Sequence, residues 1–141
     1  SGLAEKSKTA AKRIWDFTQR QIPSDPKHEW TSIIAWRVCA GIEMVTSGMM
    51  DEEMLTEMVE DLLALQSQKF GFWFMTRKKD DPYRGVLHSA QPLIALVRFI
   101  DKFPSHELFS GAKQAILTCW EKYVKPMAAT NPNIIPNLYC G

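Results

Sequence analysis

The chain has 141 residues, 45% hydrophobic and 23% charged, which describes one globular domain and excludes a disordered or fibrous chain. With 17 basic and 16 acidic residues the net charge is +1, so the basic footprint of a nucleic-acid binder is missing. Three cysteines, Cys39, Cys119 and Cys140, cannot all pair within one chain, which excludes a disulfide scaffold.

Apolar spacing predicts about five helices. The first, from about Leu3 to Arg20, puts Leu3, Ala10, Ile14 and Phe17 on one face and lysines and arginines over the rest. Pro23 and Pro26 end it. The second, about His28 to Thr46, is apolar nearly all round, from Trp30, Ile33 and Trp36 to Met44 and Val45, and is expected to be packed on every side. Gly48 and Asp51 mark a turn and an N-cap, with Glu52 and Glu53 in the following first turn. The third, about Asp51 to Gln66, is amphipathic, with Met54, Leu55, Met58, Leu62 and Leu65 as its stripe. The fourth, about Leu87 to Lys102, again reads as buried on all sides and tolerates Pro92 in its first turn. Pro104 and Ser105 separate it from an amphipathic fifth helix, about Ser105 to Val124.

Amphipathic and buried helices thus alternate, as two layers of antiparallel α-hairpins require. The fold class expected is all-α, a partial (α/α)6 toroid of about five helices. A compact bundle around one central helix is the plainer alternative. A tetratricopeptide array is disfavoured because no repeat of about 34 residues recurs. The longest uncharged stretches, Pro126 to Gly141 and Gly85 to Val97, fall short of the ~20 residues a membrane-spanning helix takes, so no membrane partner is expected. No signal peptide is visible, and the compartment stays open.

Connections out of the buried helices are tight, at Ser47 to Met50 and Phe103 to Pro104. Connections into them are long, at Gln21 to Lys27 and Ser67 to Val86, and the tail from Lys125 to Gly141 is long too. In an up-down array the long ones gather at the N-terminal ends of the buried helices, where a site is then expected. One of them carries Phe70, Phe72, Trp73 and Phe74 and reads as a short aromatic hairpin or extended arm. Packing on the helices below is one role for these rings; the other is a stacking platform for a sugar face, with Trp73 the foremost candidate. Tyr83, Arg84, His88 and Gln91 are expected along the rim, His88 either as a ligand donor or as a cap for its own helix with Ser89. Asp80 and Asp81 are adjacent and point apart, unlike a general acid and base ~5–10 Å apart across a bond. Arg77, Lys78 and Lys79 read as a solvated basic triplet, and Met44, Met49, Met50, Met54 and Met58 as core filling around a turn. The sequence has no H-E-x-x-H, C-x-x-C or glycine-rich phosphate loop, so no metal or cofactor is expected; it has no G-x-S-x-G elbow either, which leaves nucleophilic catalysis open without a candidate.

The runs Gly71-Phe72-Trp73-Phe74, Asp81-Pro82-Tyr83-Arg84, Leu87-His88-Ser89 and Gln91-Pro92-Leu93 resemble a middle stretch of certain bacterial glycoside hydrolases. So do Val124-Lys125-Pro126-Met127-Ala128, Asn131-Pro132 and Ile135-Pro136-Asn137-Leu138-Tyr139. These enzymes are six-hairpin (α/α)6 toroids, and the family 9-like members are most similar, over about Lys27 to Tyr139. The resemblance implies inner and outer helix rings with a sugar cleft across the N-terminal ends of the inner ring. It implies a parent hydrolase of β-linked glycans in which one carboxylate activates water and another protonates the leaving oxygen. By the same resemblance Trp73, Tyr83, His88 and Tyr139 become cleft-wall candidates. The family's Asp-Ala-Gly-Asp type motif is absent, as is a segment for the catalytic acid. Residues 1–141 therefore read as a single domain, a slice of a larger α/α-toroid catalytic domain with no catalytic pair of its own. The partners implied are an oligosaccharide or polysaccharide, together with the rest of the toroid or a second copy meeting the exposed apolar helix flanks. A self-contained helical interaction module and a small carbohydrate-binding domain built on Trp73 are the alternatives.

Overall fold

The computed structural model describes residues 2–20, 25–79 and 89–130. The fold is all-α. Helix α1 spans Gly2–Arg20, α2 Thr31–Thr46, α3 Glu52–Ala64, α4 Ala90–Lys102, α5 Phe109–Cys119 and α6 Lys125–Thr130. A 3₁₀ turn, Pro26–His28, precedes α2, and a π turn, Trp120–Val124, joins α5 to α6.

Local chemistry explains where the helices depart from the expected bounds. The His28 N–H donates to Asp25 O and the Lys27 N–H to Asp25 Oδ1, which closes a separate turn. Trp30 is then extended, so α2 starts at Thr31 and not at His28. Asp51 sits at the N-cap of α3 as expected, but its side chain makes no capping bond. Pro92 is the third residue of α4, where the missing N–H has no helical partner to lose. Residues 103–108 turn on His106, whose Nδ1 accepts the Leu108 N–H, and α5 begins four residues later than expected.

Two helix pairs form the core. Helix α2 packs on α3, α4 packs on α5, and α2 and α4 lie against each other. Ile34, Val38 and Ile42 of α2 interlock with Leu55, Val59 and Leu62 of α3, and Leu96 and Phe99 of α4 complete the centre. Gly41 permits the close approach of α2 and α3, since a Cβ there would lie 2.8 Å from Met58 Cε.

The expectation that α2 and α4 are covered on all sides is overturned. Each buries one face, while Ile33 (53% exposed) and Trp36 (50%) on α2, and Ile94 and Val97 on α4, face outward. No described helix covers those faces. Helix α1 buries none of its residues, and Leu3 is 76% exposed.

The aromatic segment after α3 makes a short reversing turn and continues as an extended arm, without regular strands among the described residues. Among the described residues its only pairing is by two isolated β-bridges, Gln66 to Trp73 and Trp30 to Thr76. A turn at Ser67–Phe72 reverses the chain, with the Ser67 N–H donating to Phe72 O (2.8 Å) and the Gly71 N–H to Ser67 O (2.7 Å). The arm then lies across the end of α3, where the Phe74 N–H donates to Leu65 O.

Candidate functional site

The arm brings the N-terminal ends of α2 and α4 together. The Thr31 N–H donates to Met75 O (2.8 Å), and the Thr31 hydroxyl donates to Phe74 O. On the other side the Trp73 N–H donates to Ser89 Oγ (3.1 Å) at the start of α4. Ser89 thus spends its side chain on the arm and makes no capping bond to its own helix. The described part of the connection after α3 therefore runs over the N-terminal ends of α2 and α4.

Trp73 is not available to a ligand. Its side chain is 0% exposed, in the core with Leu62, Leu65 and Phe99, and its indole N–H donates to Leu62 O at 2.8 Å. A stacking platform needs an open ring face, so Trp73 is withdrawn from the cleft wall, and a carbohydrate-binding domain built on it falls with it. Alternation along an extended arm gives the reason: one ring must point into the helices, and the one whose N–H meets the Leu62 carbonyl in the last turn of α3, as a second donor beside the Leu65 N–H, goes there. Phe72 is buried as well, edge-on to Tyr123 at 5.6 Å, whereas Phe70 is exposed and stacked on Phe72 at 5.5 Å.

Gln91 is half-buried in the first turn of α4, and its Oε1 is enclosed without a hydrogen-bond partner among the described residues. Tyr83, Arg84, His88 and Tyr139 lie outside the described residues, as do Asp80 and Asp81.

Sequence reasoning missed the charged cluster beside the arm. Glu29, buried just before α2, accepts from Arg37 and, at 3.0 Å, from Arg77 Nε. Arg77 also grips Asp61 of α3 with both terminal nitrogens, at 3.2 and 2.8 Å. Arg77 is therefore a clamp and not part of a solvated triplet. Its pKa is raised above the usual arginine value, first by the bond to Asp61 and then by Glu29, against the opposing effect of burial. Arg37 in turn donates to Gln19 Oε1 (3.1 Å), the one polar tie between α1 and α2 among the described residues. Four charged residues, Glu29, Arg37, Asp61 and Arg77, carry no local spacing signal, and only the fold assembles them. Every Glu29 oxygen is occupied by a guanidinium, so this carboxylate is a structural anion and not a base.

Cys119 is pushed up to about 12 by burial, and Tyr123 to about 12 by burial and then by Cys119. Burial raises Cys39 too, with Arg98 opposing it. Both thiols are protonated at neutral pH and are poor nucleophiles. Among the described residues no three His, Cys, Asp or Glu side chains converge to hold a metal ion. No helix of the described residues is long and apolar enough to cross a membrane. No protein-family model, curated protein or solved structure matches the chain.

Proposed function

We propose that this chain is part of a carbohydrate-active enzyme, a toroid of α-hairpins hydrolysing β-linked glycans by inversion, and that it contributes cleft wall but not the catalytic carboxylate pair. The observation that carries the reading is the meeting of the α2 and α4 N-terminal ends under one arm, which is where the resembled family keeps its cleft. The inner–outer pairing of α2 with α3 and α4 with α5 is compatible with a segment of such a ring. Gln91 is the described residue best suited to meet a sugar, because an enclosed amide oxygen without a donor gains most from a ligand hydroxyl. Tyr83, His88 and Tyr139, on the strength of the sequence resemblance, and Arg84, from its expected place on the rim, complete the proposed wall.

The test is an NMR titration with β-linked oligosaccharides, following the Gln91 side-chain amide and the first turn of α4. A sugar that moves these signals, and that binds roughly tenfold more weakly to Gln91→Ala (about 1–1.5 kcal/mol), supports the proposal. A folded chain whose α4 signals ignore every glycan sinks it.

A second reading is a helical interaction module without glycan chemistry. It is favoured by the uncovered apolar faces of α2 and α4, since exposed apolar patches of this kind mark contact surfaces.

A further inference from the structure

We infer that His106 is a proton-operated clasp. Its neutral ring ties the start of α5 to α3, and uptake of a proton on that ring opens the tie. The inference does not rest on the glycan reading.

The His106 side chain is 5% exposed, in the turn between α4 and α5. Its Nδ1 accepts the Leu108 N–H at 3.0 Å, and its Nε2 lies 2.9 Å from Thr56 Oγ1 on α3. Thr56 settles the direction of the second bond. Its hydroxyl donates to Glu52 O, one turn earlier in α3, at 3.0 Å. A hydroxyl has one hydrogen, so Oγ1 accepts from the ring and Nε2 carries the hydrogen. The Leu108 N–H and the Thr56 hydroxyl therefore demand the same tautomer, neutral with its hydrogen on Nε2. Both ring nitrogens are in use, and this arrangement has no place for a second proton.

A second proton must go on Nδ1. The acceptor of the Leu108 N–H then becomes a donor, and two N–H groups face each other. Leu108 is the N-cap of α5, and its carbonyl accepts the Ala112 N–H at 2.9 Å, so the loss falls on the first turn of that helix. The surroundings compensate little. Helix α4 meets the ring with Phe99, edge-on at 5.0 Å, and the following turn meets it with Phe103, neither of them charged. From α3, Glu52 Oε1 lies 3.6 Å from Nε2, the one ion-pair contact of the ring among the described residues. That carboxylate is 56% exposed, so water screens its pull, and it sits at the nitrogen that already carries hydrogen. It cannot give Leu108 a new acceptor. By linkage the opened turn holds the proton more tightly than the closed one, so the clasp is shut at neutral pH and opens on acidification.

NMR spectra of the intact chain from about pH 7.5 to about pH 5 span the imidazole range and test this. At the upper end the ring nitrogen shifts of His106 are expected to show the neutral Nε2–H tautomer. As the ring takes up its proton, the Leu108 amide signal moves upfield with the same midpoint. The Ala112 amide loses at least about tenfold of its exchange protection once the intrinsic pH dependence of exchange is removed. His28, an exposed ring beside Asp25, is the internal reference, and its titration leaves α5 unmoved. In His106→Asn an amide oxygen can take the Leu108 N–H but does not titrate, and α5 protection becomes independent of pH. The parent spectra decide the matter should that variant not fold. The inference is overturned if the ring shows the Nδ1–H tautomer, or if it stays neutral down to about pH 5. It is equally overturned if the ring charges while Leu108 and Ala112 stay unchanged, or if His106→Asn keeps the pH response.

Discussion

At Gly71 the backbone turns with φ +81°, and a Cβ there would lie 2.7 Å from Thr118 O on α5. Both facts require glycine, one for conformation and one for space. Gly71→Ala is expected to destabilise the fold by about 1–3 kcal/mol. A denaturant midpoint within error of the parent would contradict that. Burial of Cys119 and Tyr123 makes a pH statement of definite sign. Their folded values near 12 lie above the ordinary 9.0 and 10.0, so the unfolded chain loses these protons first. Stability from them is complete below pH 9 and is lost as pH rises from 9 towards 12. The thermal midpoint should fall through this alkaline range, and more gently in Cys119→Ala. An identical slope in that variant would show that the thiol is not the linked group.

Among elements, the arm is held by more than its rings. Gln66 Nε2 donates to Gly71 O (2.9 Å) and to Ala115 O (2.8 Å), and Lys122 Nζ reaches Gln68 O (2.7 Å) across the π turn. The widened turn at Trp120–Val124 thus faces the loop that needs its neighbouring polar groups. His106 joins three helices in a similar way. Its Nδ1 accepts the Leu108 N–H, so Nε2 carries the hydrogen and donates to Thr56 Oγ1 (2.9 Å), while the ring meets Phe99 edge-on. The Glu29 cluster sets an order of effects. Arg77→Ala leaves Glu29 its Arg37 partner and is expected to cost about 1–3 kcal/mol. Glu29→Gln removes the buried negative charge that both guanidinium groups face, leaving Arg77 only Asp61 and Arg37 only the neutral Gln19, and is expected to cost more, about 3–5 kcal/mol. Chemical denaturation of both variants checks the ranking, and a more damaging Arg77→Ala would mean that the Asp61 bond, not the buried carboxylate, holds the cluster.

Over the whole molecule, stability is distributed unevenly. The core runs through α2, α3, α4 and α5, and α1 contributes nothing buried. Amide hydrogens of α1 are therefore expected to exchange orders of magnitude faster than those of α2 at Val38 and Ile42. Equal protection along the two helices would show that α1 is fastened by a contact other than the Arg37–Gln19 bond.

Helix positions were legible from the chain alone, because a buried stripe leaves a period of 3.6 that survives without any tertiary knowledge. The α1 and α2 ends at Arg20 and Thr46 and the α4 end at Lys102 fall where apolar spacing and proline place them. Of the long connections, the described part of the one after α3 does cross the α2 and α4 N-terminal ends, whereas the expected tail loop is helical over Lys125–Thr130. What the sequence could not say is which apolar faces are covered. Ile33, Trp36, Ile94 and Val97 have the same hydrophobicity as their buried neighbours, and exposure depends on what lies opposite in space. The fate of Trp73 was equally closed to sequence reading: a ring that could stack on a sugar and a ring that fills a core look alike until the Leu62 carbonyl is seen 2.8 Å from its N–H. Clustering of Glu29, Arg37, Arg77 and Asp61 likewise belongs to the tertiary structure, because attraction between distant charges leaves no periodic mark on the chain.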